Sequence, residues 1–389
     1  MSKKPRLFLI DGSSYIYRAF FAIRVLSTSR GFPTNAVFGF TSMLMSVIRN
    51  HSPEYMAICF DAKGPTFRHE MYDQYKANRP EMPEDLAPQI PYIKAIVDGF
   101  RIPVFEKEGY EADDLIGTIV RNLNREEIEV VIVSGDKDLF QLIDERVTAL
   151  DTMKNRSLDS RGIEELYGVK PNQMTDIMAL MGDSIDNIPG VPGIGEKKAA
   201  KLIREFGSLE NLLQNLEKVE EKRAREALIA YGDQARLSKG LATINCNVPI
   251  EVNLEDFRLP QPDTEALRRI FKELEFTKFI SELPPPSRRL PSDAYRTVLK
   301  KEEFLRLKEA IEEAGRFAID LETTSREPMR AKIIGIAISF RPHEAYYIPI
   351  GHVYDGAPGQ LDGKWVLEEL RSILENEGIL KIGQNIKYE

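Results

Sequence analysis

Hydrophobic and polar residues follow two different periods along the first 185 residues of the chain. Short apolar runs rich in β-branched residues, which are typical of strands, occur at 6–10, 55–60, 128–134 and 146–151. Helical spacing of the apolar residues lies between them, near 36–50, 85–98 and 112–124. Strands that alternate with helices predict an α/β fold whose mostly parallel sheet carries helices on both faces.

The pattern changes after residue 160 and again after residue 282. Residues 160–280 have helical spacing throughout, whereas the proline-rich stretch LPPPSRRLPSD has no period at all and is typical of a linker. Strand-like runs then resume, as in GRFAIDLE and KIIGIAISF. We therefore expect an α/β core at 1–175, a helical region at 176–282, a linker at 283–293 and a second α/β domain at 294–389.

The composition is ordinary for a soluble globular protein, with 42% apolar and 29% charged residues among 389. No apolar run is long enough for a membrane span. The first apolar run is short and ends at Asp11, so it is interpreted as a strand and not as a signal peptide. Cys59 and Cys246 lie far apart and match no metal or redox motif, which indicates ordinary buried thiols in a reducing cytoplasm.

Acidic residues follow the predicted strands repeatedly. Asp11 and Asp61 end the first two runs, and Asp136 and Asp138 follow the third. Because the carboxyl ends of parallel strands meet at one edge of a sheet, these side chains are expected to share one crevice with the acids of GYEADDLIG and MGDSIDNIPG. The nine acids are Asp11, Asp61, Glu111, Asp113, Asp114, Asp136, Asp138, Asp183 and Asp186.

Nine carboxylates in one crevice raise one another's pKa, so they must take up protons or bind cations. Oxygen ligands without His or Cys suit Mg²⁺ or Mn²⁺, and a pair of such ions is the arrangement that hydrolyses phosphodiesters. The net charge of −8 argues against a nucleic-acid partner, but removing nine negative charges leaves +1. The nine acids of a metal site therefore account for the whole net negative charge of the chain.

Other interpretations of these acids stay open at this point. A single acid after a strand is commonly a helix N-cap or a turn residue, and Asp11 and Asp61 fit that description. A phosphatase with an aspartyl nucleophile would need a second acid two residues after the first. Gly12 and Ser13 follow Asp11, which counts against that class.

Two basic features lie close to the acids in sequence. The segment 62–80 carries Arg68, Lys76 and Arg79 interleaved with aromatic residues such as Tyr75, a composition that suits phosphates and unstacked bases. The alternative is a solvated amphipathic helix. Arg18 lies about two helical turns beyond Asp11 and could face the same crevice.

The stretch NIPGVPGIGEKKAAKLI predicts a tight turn followed by a helix that begins near Glu196. Backbone N–H groups at such a turn can bind a DNA phosphate without reading the base sequence. Positive charge follows directly in the predicted helix. The residues assigned to DNA-backbone binding here are Gly193, Ile194, Gly195, Lys197 and Lys198.

These motifs together resemble the 5′-nuclease (flap endonuclease) family found at the amino end of bacterial DNA polymerase I. The resemblance runs over about residues 5–280 through FLIDGSSYIYRAFFA, CFDAKGPTFRHEMYDQYKANRP, GYEADDLIGT, SGDKDLFQLI and MGDSIDNIPGVPGIGEKKAAKLI. It implies a helical arch and a helix-hairpin-helix region. It also implies a monomeric, metal-dependent hydrolase that cuts 5′ flaps, nicked DNA and RNA primers near junctions in replication and repair.

The resemblance also implies roles for the site residues. Two Mg²⁺ or Mn²⁺ ions would be held, one by Asp61, Glu111, Asp113 and Asp114 with Asp11 nearby, the other by Asp136, Asp138, Asp183 and Asp186. Lys76 would contact the scissile phosphate with help from Arg79, and Tyr75 would stack on a base. The turn at 193–195 would hold duplex DNA and could bind K⁺.

Residues 295–389 resemble the beginning of a 3′–5′ exonuclease domain of ribonuclease H-like fold. FAIDLETTS supplies the acid pair Asp320 and Glu322, and KIGQNIKY resembles the segment before the next acid, where Glu389 stands. We expect a partial exonuclease domain, with no polymerase region and no proofreading activity. Two alternatives to the nuclease are a non-catalytic DNA-junction binding fragment of DNA polymerase I and a toxin-like ribonuclease.

Overall fold

The computed structural model describes residues 4–23, 25–123, 128–284, 294–325, 327, 330–354 and 356–384. Most of the predicted linker 283–293 and the position of Glu389 lie outside these ranges. The chain divides into two compact units, 1–285 and 286–389. Within the described ranges, no helix combines the length and apolar character needed to cross a membrane.

A six-stranded sheet forms the centre of the first unit. Its strands are β1 (Arg6–Asp11), β2 (Tyr55–Cys59), β3 (Val104–Phe105), β4 (Glu129–Val133), β5 (Val147–Asp151) and β6 (Arg156–Leu158). Their order is β3-β2-β1-β4-β5-β6, and the pairings are parallel except for β6 on β5. The strand order reverses between β1 and β4, so a ligand crevice is expected beyond the carboxyl ends of these two strands.

Helices cover both faces of this sheet, as the sequence pattern predicts. They include α1 (Gly12–Ala22), α2 (Asn35–His51), α4 (Ile90–Gly99) and α5 (Ala112–Asn122), while the short helix α3 (Phe67–Met71) contacts the later helical region. Alternate residues of β1 point to opposite faces: Phe8 and Ile10 pack with α1, α2 and α4, whereas Leu7 and Leu9 pack with α5. The predicted α/β fold is confirmed.

A helical region follows the sheet. It contains α6 (Ser160–Tyr167), α7 (Met174–Met181), α8 (Glu196–Phe206), α9 (Leu209–Gln214) and α10 (Lys222–Ala242), then α11 (Thr264–Glu273) and α12 (Thr277–Glu282). Helices α7 to α10 share a core that includes Ile177, Ile203, Leu212 and Leu228.

The expectation of helix throughout 160–280 is wrong for residues 243–263. This stretch contains only a short 3₁₀ turn at Leu254–Phe257. Ile244, Val248 and Phe257 pack beside α5 on the sheet, and Leu267 and Phe271 of α11 pack on the opposite face. The chain after α10 therefore returns to the α/β core.

The second unit is a separate α/β domain, as predicted. It contains β7 (Tyr295–Thr297), α13 (Lys301–Ala314), β8 (Arg316–Thr323), β9 (Ile333–Ser339), β10 (Ala345–Pro349), α14 (Gly363–Leu374) and β11 (Leu380–Ile382). The strand order is β11-β8-β9-β10-β7. Phe304, Ile336, Ile348 and Val366 lie in its core. Asp320 and Glu322 lie two residues apart on β8 and are both exposed.

Candidate functional site

The first acid of the crevice lies where β1 meets α1. Asp11 accepts a hydrogen bond from the backbone N–H of Ser14 (3.0 Å) and thereby caps α1. Its other oxygen accepts from the hydroxyl of Ser134 (2.9 Å), which directly follows β4. Asp11 is only 4% exposed. The same carboxylate therefore caps α1 and, through a buried hydrogen bond, connects the ends of β1 and β4.

Two more acids come from β2 and α5. Asp61 follows β2, and its carboxylate accepts a hydrogen bond from the backbone N–H of Ala112 (2.8 Å) at the start of α5. Its own N–H donates to the hydroxyl of Ser13 (2.8 Å). Asp113 lies in the first turn of α5. These contacts place Asp61 and Asp113 on the same crevice as Asp11.

The segment after β4 adds Asp136 and Asp138. The N–H of Asp136 donates to the hydroxyl of Ser134 (3.1 Å), and the N–H of Asp138 donates to the Asp136 carboxylate (3.0 Å). One carboxylate oxygen of Asp138, Oδ1, is buried without any hydrogen-bond partner among the described residues. A buried carboxylate oxygen without a donor is costly unless a cation or a proton satisfies it.

Five of the nine acids form no ion pair with any Lys or Arg of the described chain. We call them the unpaired group: Asp11, Asp61, Asp113, Asp136 and Asp138. Burial, followed by the charges of the other four members, raises the pKa of Asp113 well above its usual value. Burial, partly offset by the Ser14 hydrogen bond and reinforced by Asp61 and Asp136, raises the pKa of Asp11 to about 7.

The other four acids are held by basic side chains of the same chain. Lys76 lies 2.6 Å from Glu111, Arg79 lies 2.6 Å from Asp186, and Lys137 lies 2.6 Å from Asp183. Asp114 is paired with Arg68 at 2.8 Å. We call these four the paired acids. Within the described residues, no three His, Cys, Asp or Glu side chains converge closely enough to hold one ion in their present conformations.

Asp114 is turned away from the crevice. Both of its oxygens accept from Arg68 at 2.8 Å, and it also accepts the backbone N–H groups of Glu111 (3.1 Å) and Asn245 (2.8 Å). All of its hydrogen-bonding capacity is used inside the protein. Successive helix positions point in different directions, so Asp113 and Asp114 are separated in this conformation. The predicted metal binding by Asp114 stays a prediction.

Arg68 and Tyr75 are also buried in this structure, and their predicted contact with DNA stays a prediction. Arg68 is 3% exposed, and besides Asp114 it donates to the backbone carbonyl of Leu241 (2.9 Å). Tyr75 is 4% exposed, and its hydroxyl donates to Glu111 (3.1 Å) and Asp186 (3.3 Å). Burial, together with these two carboxylates, raises the pKa of Tyr75, so it stays a donor. In this conformation both side chains are engaged by contacts inside the protein.

The basic segment does not form the long solvated helix that was the alternative interpretation. Helix α3 covers five residues, and turns follow at 73–78, where the base of a helical arch was expected. Lys76 has a left-handed backbone (φ +57°), and its N–H donates to the carbonyl of Asp186 (2.9 Å). Arg79 is bound to the same residue through its side chain. This segment is therefore docked on the loop that carries Asp183 and Asp186.

That loop is held by two glycines in close contact. A Cβ on Gly190 (φ +61°) would lie 2.4 Å from the backbone N of Gly182, and Gly182 (φ +69°) is equally crowded. Asp183 and Ile188 exchange backbone hydrogen bonds of 2.9 and 2.7 Å. The loop is thus fixed by its backbone, which sets the position of both acids.

The glycine turn before α8 has the predicted form. Gly193 has φ +81°, Gly195 caps α8 and the helix begins at Glu196. No atom lies within 4 Å of a Cβ built on either glycine, so the backbone is open on this side. Ile194 is buried in the helical core, whereas Lys197 is exposed and Lys198 is paired with Glu221 at 2.6 Å.

Arg18 reaches the edge of the crevice from α1. Its guanidinium lies over Gly135 and is 3.6 Å from Asp151. A residue that sequence analysis missed is Lys137, between Asp136 and Asp138 in GDKD. Burial alone would lower its pKa, but the hydrogen bond and charge of Asp183 raise it overall. Its position between two acids in the sequence could have identified it as a residue of the crevice.

The donor set of the crevice fits a hard divalent cation. Its ligands would be carboxylate oxygens alone. In the part of the chain that the structure describes, five of these carboxylates have no basic partner and the buried Oδ1 of Asp138 has no donor. Divalent cations relieve such repulsion most effectively.

Three family models match the chain in succession. Residues 6–168 match the 5′-3′ exonuclease N-terminal resolvase-like domain, residues 169–265 match the 5′-3′ exonuclease C-terminal SAM fold, and residues 295–388 match a 3′-5′ exonuclease. The first two belong to one family and together cover 6–265. The order of the matches agrees with the order of the two units.

Relatives named DNA polymerase I match the whole chain. The protein of Pseudomonas aeruginosa is 41% identical over 100% of this chain, which spans 44% of that relative. The protein of Chloroflexus aurantiacus is 36% identical over 99% of this chain, which spans 45% of it. The chain therefore spans less than half the length of these relatives.

Solved structures share the fold of the first unit. The T5 5′-exonuclease with bound zinc has a TM-score of 0.52 and 24% identity, covering 71% of this chain and 98% of its own. The catalytic core of Rad2 with DNA substrate has a TM-score of 0.51 and 19% identity, covering 72% and 91%.

Proposed function

The chain belongs to the 5′-3′ exonuclease family, and from this premise we propose that it is a divalent-metal-dependent nuclease that cuts DNA and RNA primers at 5′ flaps and nicks. The observation that carries the proposal is the unpaired group at the sheet's switch point. Among the described residues these five carboxylates have no basic partner, and one buried oxygen of Asp138 has no donor. A protein that only bound DNA would gain affinity by losing these charges.

The metal is proposed to be Mg²⁺ or Mn²⁺, with two ions per site. Asp11, Asp61 and Asp113 would hold one ion, and Asp136 and Asp138 would share the second with acids that are now paired. Glu111, Asp183 and Asp186 become available when their basic partners leave. When bound, such ions supply an activated water and stabilise the leaving oxygen of a phosphodiester.

Lys76 and Arg79 are the basic side chains proposed to bind the scissile phosphate. Lys76 is now paired with Glu111 and Arg79 with Asp186, so both lie at the edge of the crevice. A phosphate that enters would offer them a stronger charge-assisted partner than a carboxylate that is simultaneously engaged by a metal. We propose that they move to that phosphate and stabilise the negative charge that develops on it.

Duplex DNA is proposed to bind at the open glycine turn. Gly193 and Gly195 leave the backbone open at the start of α8, where N–H groups suit a phosphate. A K⁺ ion that bridges to a phosphate would instead be held by carbonyl oxygens of the same turn. Lys197 and Lys198 add positive charge beside it, and Arg18 does so at the crevice. These contacts hold the duplex while the 5′ strand reaches the acids.

We further propose a monomer that works in the cytoplasm in DNA replication and repair. The domain division proposed is a catalytic core at 1–175, a helix-hairpin-helix region at 176–282, a linker at 283–293 and an exonuclease-like domain at 294–389. Asp320 and Glu322 on β8 are proposed as acids of that last domain.

The direct test is cleavage of a labelled 5′-flap DNA in Mg²⁺. We expect products near the junction, none in EDTA, and little cutting of a blunt duplex of the same sequence. Binding of the flap without turnover would favour the non-catalytic junction binder instead. Faster cleavage of an RNA hairpin than of the flap would favour a ribonuclease.

A further inference from the structure

Lys137 joins the two sets of acids. It lies between Asp136 and Asp138 of the unpaired group, while its ammonium is 2.6 Å from Oδ2 of the paired acid Asp183. Its side chain is 31% exposed, whereas that of Asp183 is 10% exposed. The ammonium thus interacts with charges of both sets.

The Asp183 carboxylate has a single oxygen left for any cation. Its Oδ1 accepts the backbone N–H groups of Ile185 (2.7 Å) and Asp186 (3.2 Å), which hold the loop. Its Oδ2 is bound by Lys137. A metal that uses Asp183 must therefore share Oδ2 with this ammonium, against their mutual repulsion, or displace it.

The lysine side chain is suited to such an exchange. Its ammonium is a compact charge on a flexible stem, and the exposed part of the stem gives it a path toward solvent or toward a phosphate. A buried arginine such as Arg68, with four donated hydrogen bonds, has no comparable freedom.

We propose that Lys137 is an internal counter-cation that competes with a divalent ion for Asp183. In the protein without DNA it occupies the carboxylate oxygen and weakens the binding of the second ion. A DNA phosphate that attracts the ammonium then frees Oδ2, so the second ion binds strongly only with substrate. This inference rests on the proposed function.

The test is Mn²⁺ binding without DNA, with free Mn²⁺ measured by electron paramagnetic resonance. Lys137→Gln removes the charge but leaves a polar side chain, one atom shorter, that can still donate a hydrogen bond. We expect it to tighten the weaker class of Mn²⁺ sites by about tenfold, because a positive charge next to the ion is lost. Lys137→Arg keeps the charge and should bind Mn²⁺ as the wild type does.

Lys94→Gln is the matched control. Lys94 forms an equally short pair with Glu106 (2.6 Å) outside the crevice, so its loss should leave Mn²⁺ binding unchanged. Equal or weaker Mn²⁺ binding by Lys137→Gln would overturn the inference and make Lys137 a purely structural partner of Asp183. Failure of the wild type to bind any Mn²⁺ would instead overturn the proposed function.

Discussion

Asp113 is the residue on which the charges of the unpaired group converge. Replacing it with Asn keeps the size of the side chain but removes one proposed metal ligand. We expect flap cleavage to fall by on the order of 100-fold or more, since even outer partners of a metal site cost 10–100-fold. Initial rates at saturating Mg²⁺ measure this. Cleavage at the wild-type rate would show that Asp113 is not part of the site.

The same variant should be more stable than the wild type when no metal is present. Burial and four neighbouring carboxylates disfavour the charge of Asp113, so Asn removes a repulsion. Thermal unfolding in EDTA is expected to show a higher Tm for Asp113→Asn. In millimolar Mg²⁺ the order should reverse, because the wild type gains binding energy. A lower Tm in EDTA would contradict this account of the group.

Asp11 gives the stability a defined pH dependence. Its pKa is raised from 3.8 to about 7, so the folded protein holds a proton that the unfolded chain releases. The stabilising contribution of this proton is complete below pH 3.8 and is lost as the pH rises to about 7, by at most about 1.4 kcal/mol per pH unit. The free energy of unfolding of Asp11→Asn, relative to that of the wild type, should therefore rise between pH 4 and pH 7 in EDTA.

Denaturant unfolding of both proteins across this range measures the difference. Asn can still accept the hydrogen bond from the Ser14 N–H and can donate one to Ser134. The N-cap of α1 is therefore the same in the variant and the wild type. A stability difference that does not change with pH would mean that Asp11 is ionised in the folded protein throughout.

Asp114 is expected to serve stability and not metal binding. Asp114→Ala removes the carboxylate that is hydrogen-bonded to the buried Arg68 and leaves it Glu111 at 3.5 Å. Loss of one partner of a buried ion pair typically costs ~3–5 kcal/mol. The double variant with Arg68→Met should recover much of this loss. Mn²⁺ binding by the folded fraction should remain. Loss of Mn²⁺ binding without loss of stability would restore Asp114 as a ligand.

These residues mark what sequence could and could not predict. Strand-end acids such as Asp11 and Asp61 were predictable because parallel strands bring their carboxyl ends together. The pairing of Asp114 with Arg68 was not predictable, because the two residues lie 46 positions apart and their burial depends on tertiary packing. The same holds for the burial of Tyr75, which the sequence pattern did not indicate.

The loop from Gly182 to Gly190 is the element that positions Asp183 and Asp186. Gly190→Ala places a Cβ 2.4 Å from the backbone of Gly182, where no flexible side chain can yield. We expect a destabilisation above about 3 kcal/mol, or a displaced loop with strongly reduced cleavage. Equilibrium unfolding and flap cleavage measure these two results.

Gly31→Ala is the control for the glycine contact. Gly31 has φ +83° but nothing within 4 Å of a Cβ, so only the backbone strain of about 1–2 kcal/mol applies. Equal losses of stability in Gly31→Ala and Gly190→Ala would mean that the close contact between Gly182 and Gly190 does not contribute to stability.

Element prediction succeeded where the hydrophobic period was long. The four longer strands and helices α2, α4 and α5 occur near their predicted positions. Strands β3 and β6 have two and three residues, too few for a period to be recognised. Residues 243–263 looked helical because two real helices flank them, whereas their apolar side chains pack individually on the sheet.

At the scale of the whole molecule, each unit has its own hydrophobic core. Phe8 and Phe40 lie in a core of the first unit, and Phe304 and Ile336 lie in the core of the second. Sequence could predict this division from the change of pattern near residue 283. The order in which the helical region returns to the sheet depends on packing and could not be predicted.

The last prediction is that the first unit cuts flaps without the second. All nine acids, the docked basic segment and the glycine turn lie before residue 285, within one compact unit. A chain that ends at residue 284 should unfold cooperatively and cleave the flap at the full-length rate. Asp320→Asn in the full chain should likewise leave flap cleavage unchanged. A folded but inactive fragment would show that residues beyond 284 complete the site, and the nuclease would then have to be described as a property of both units.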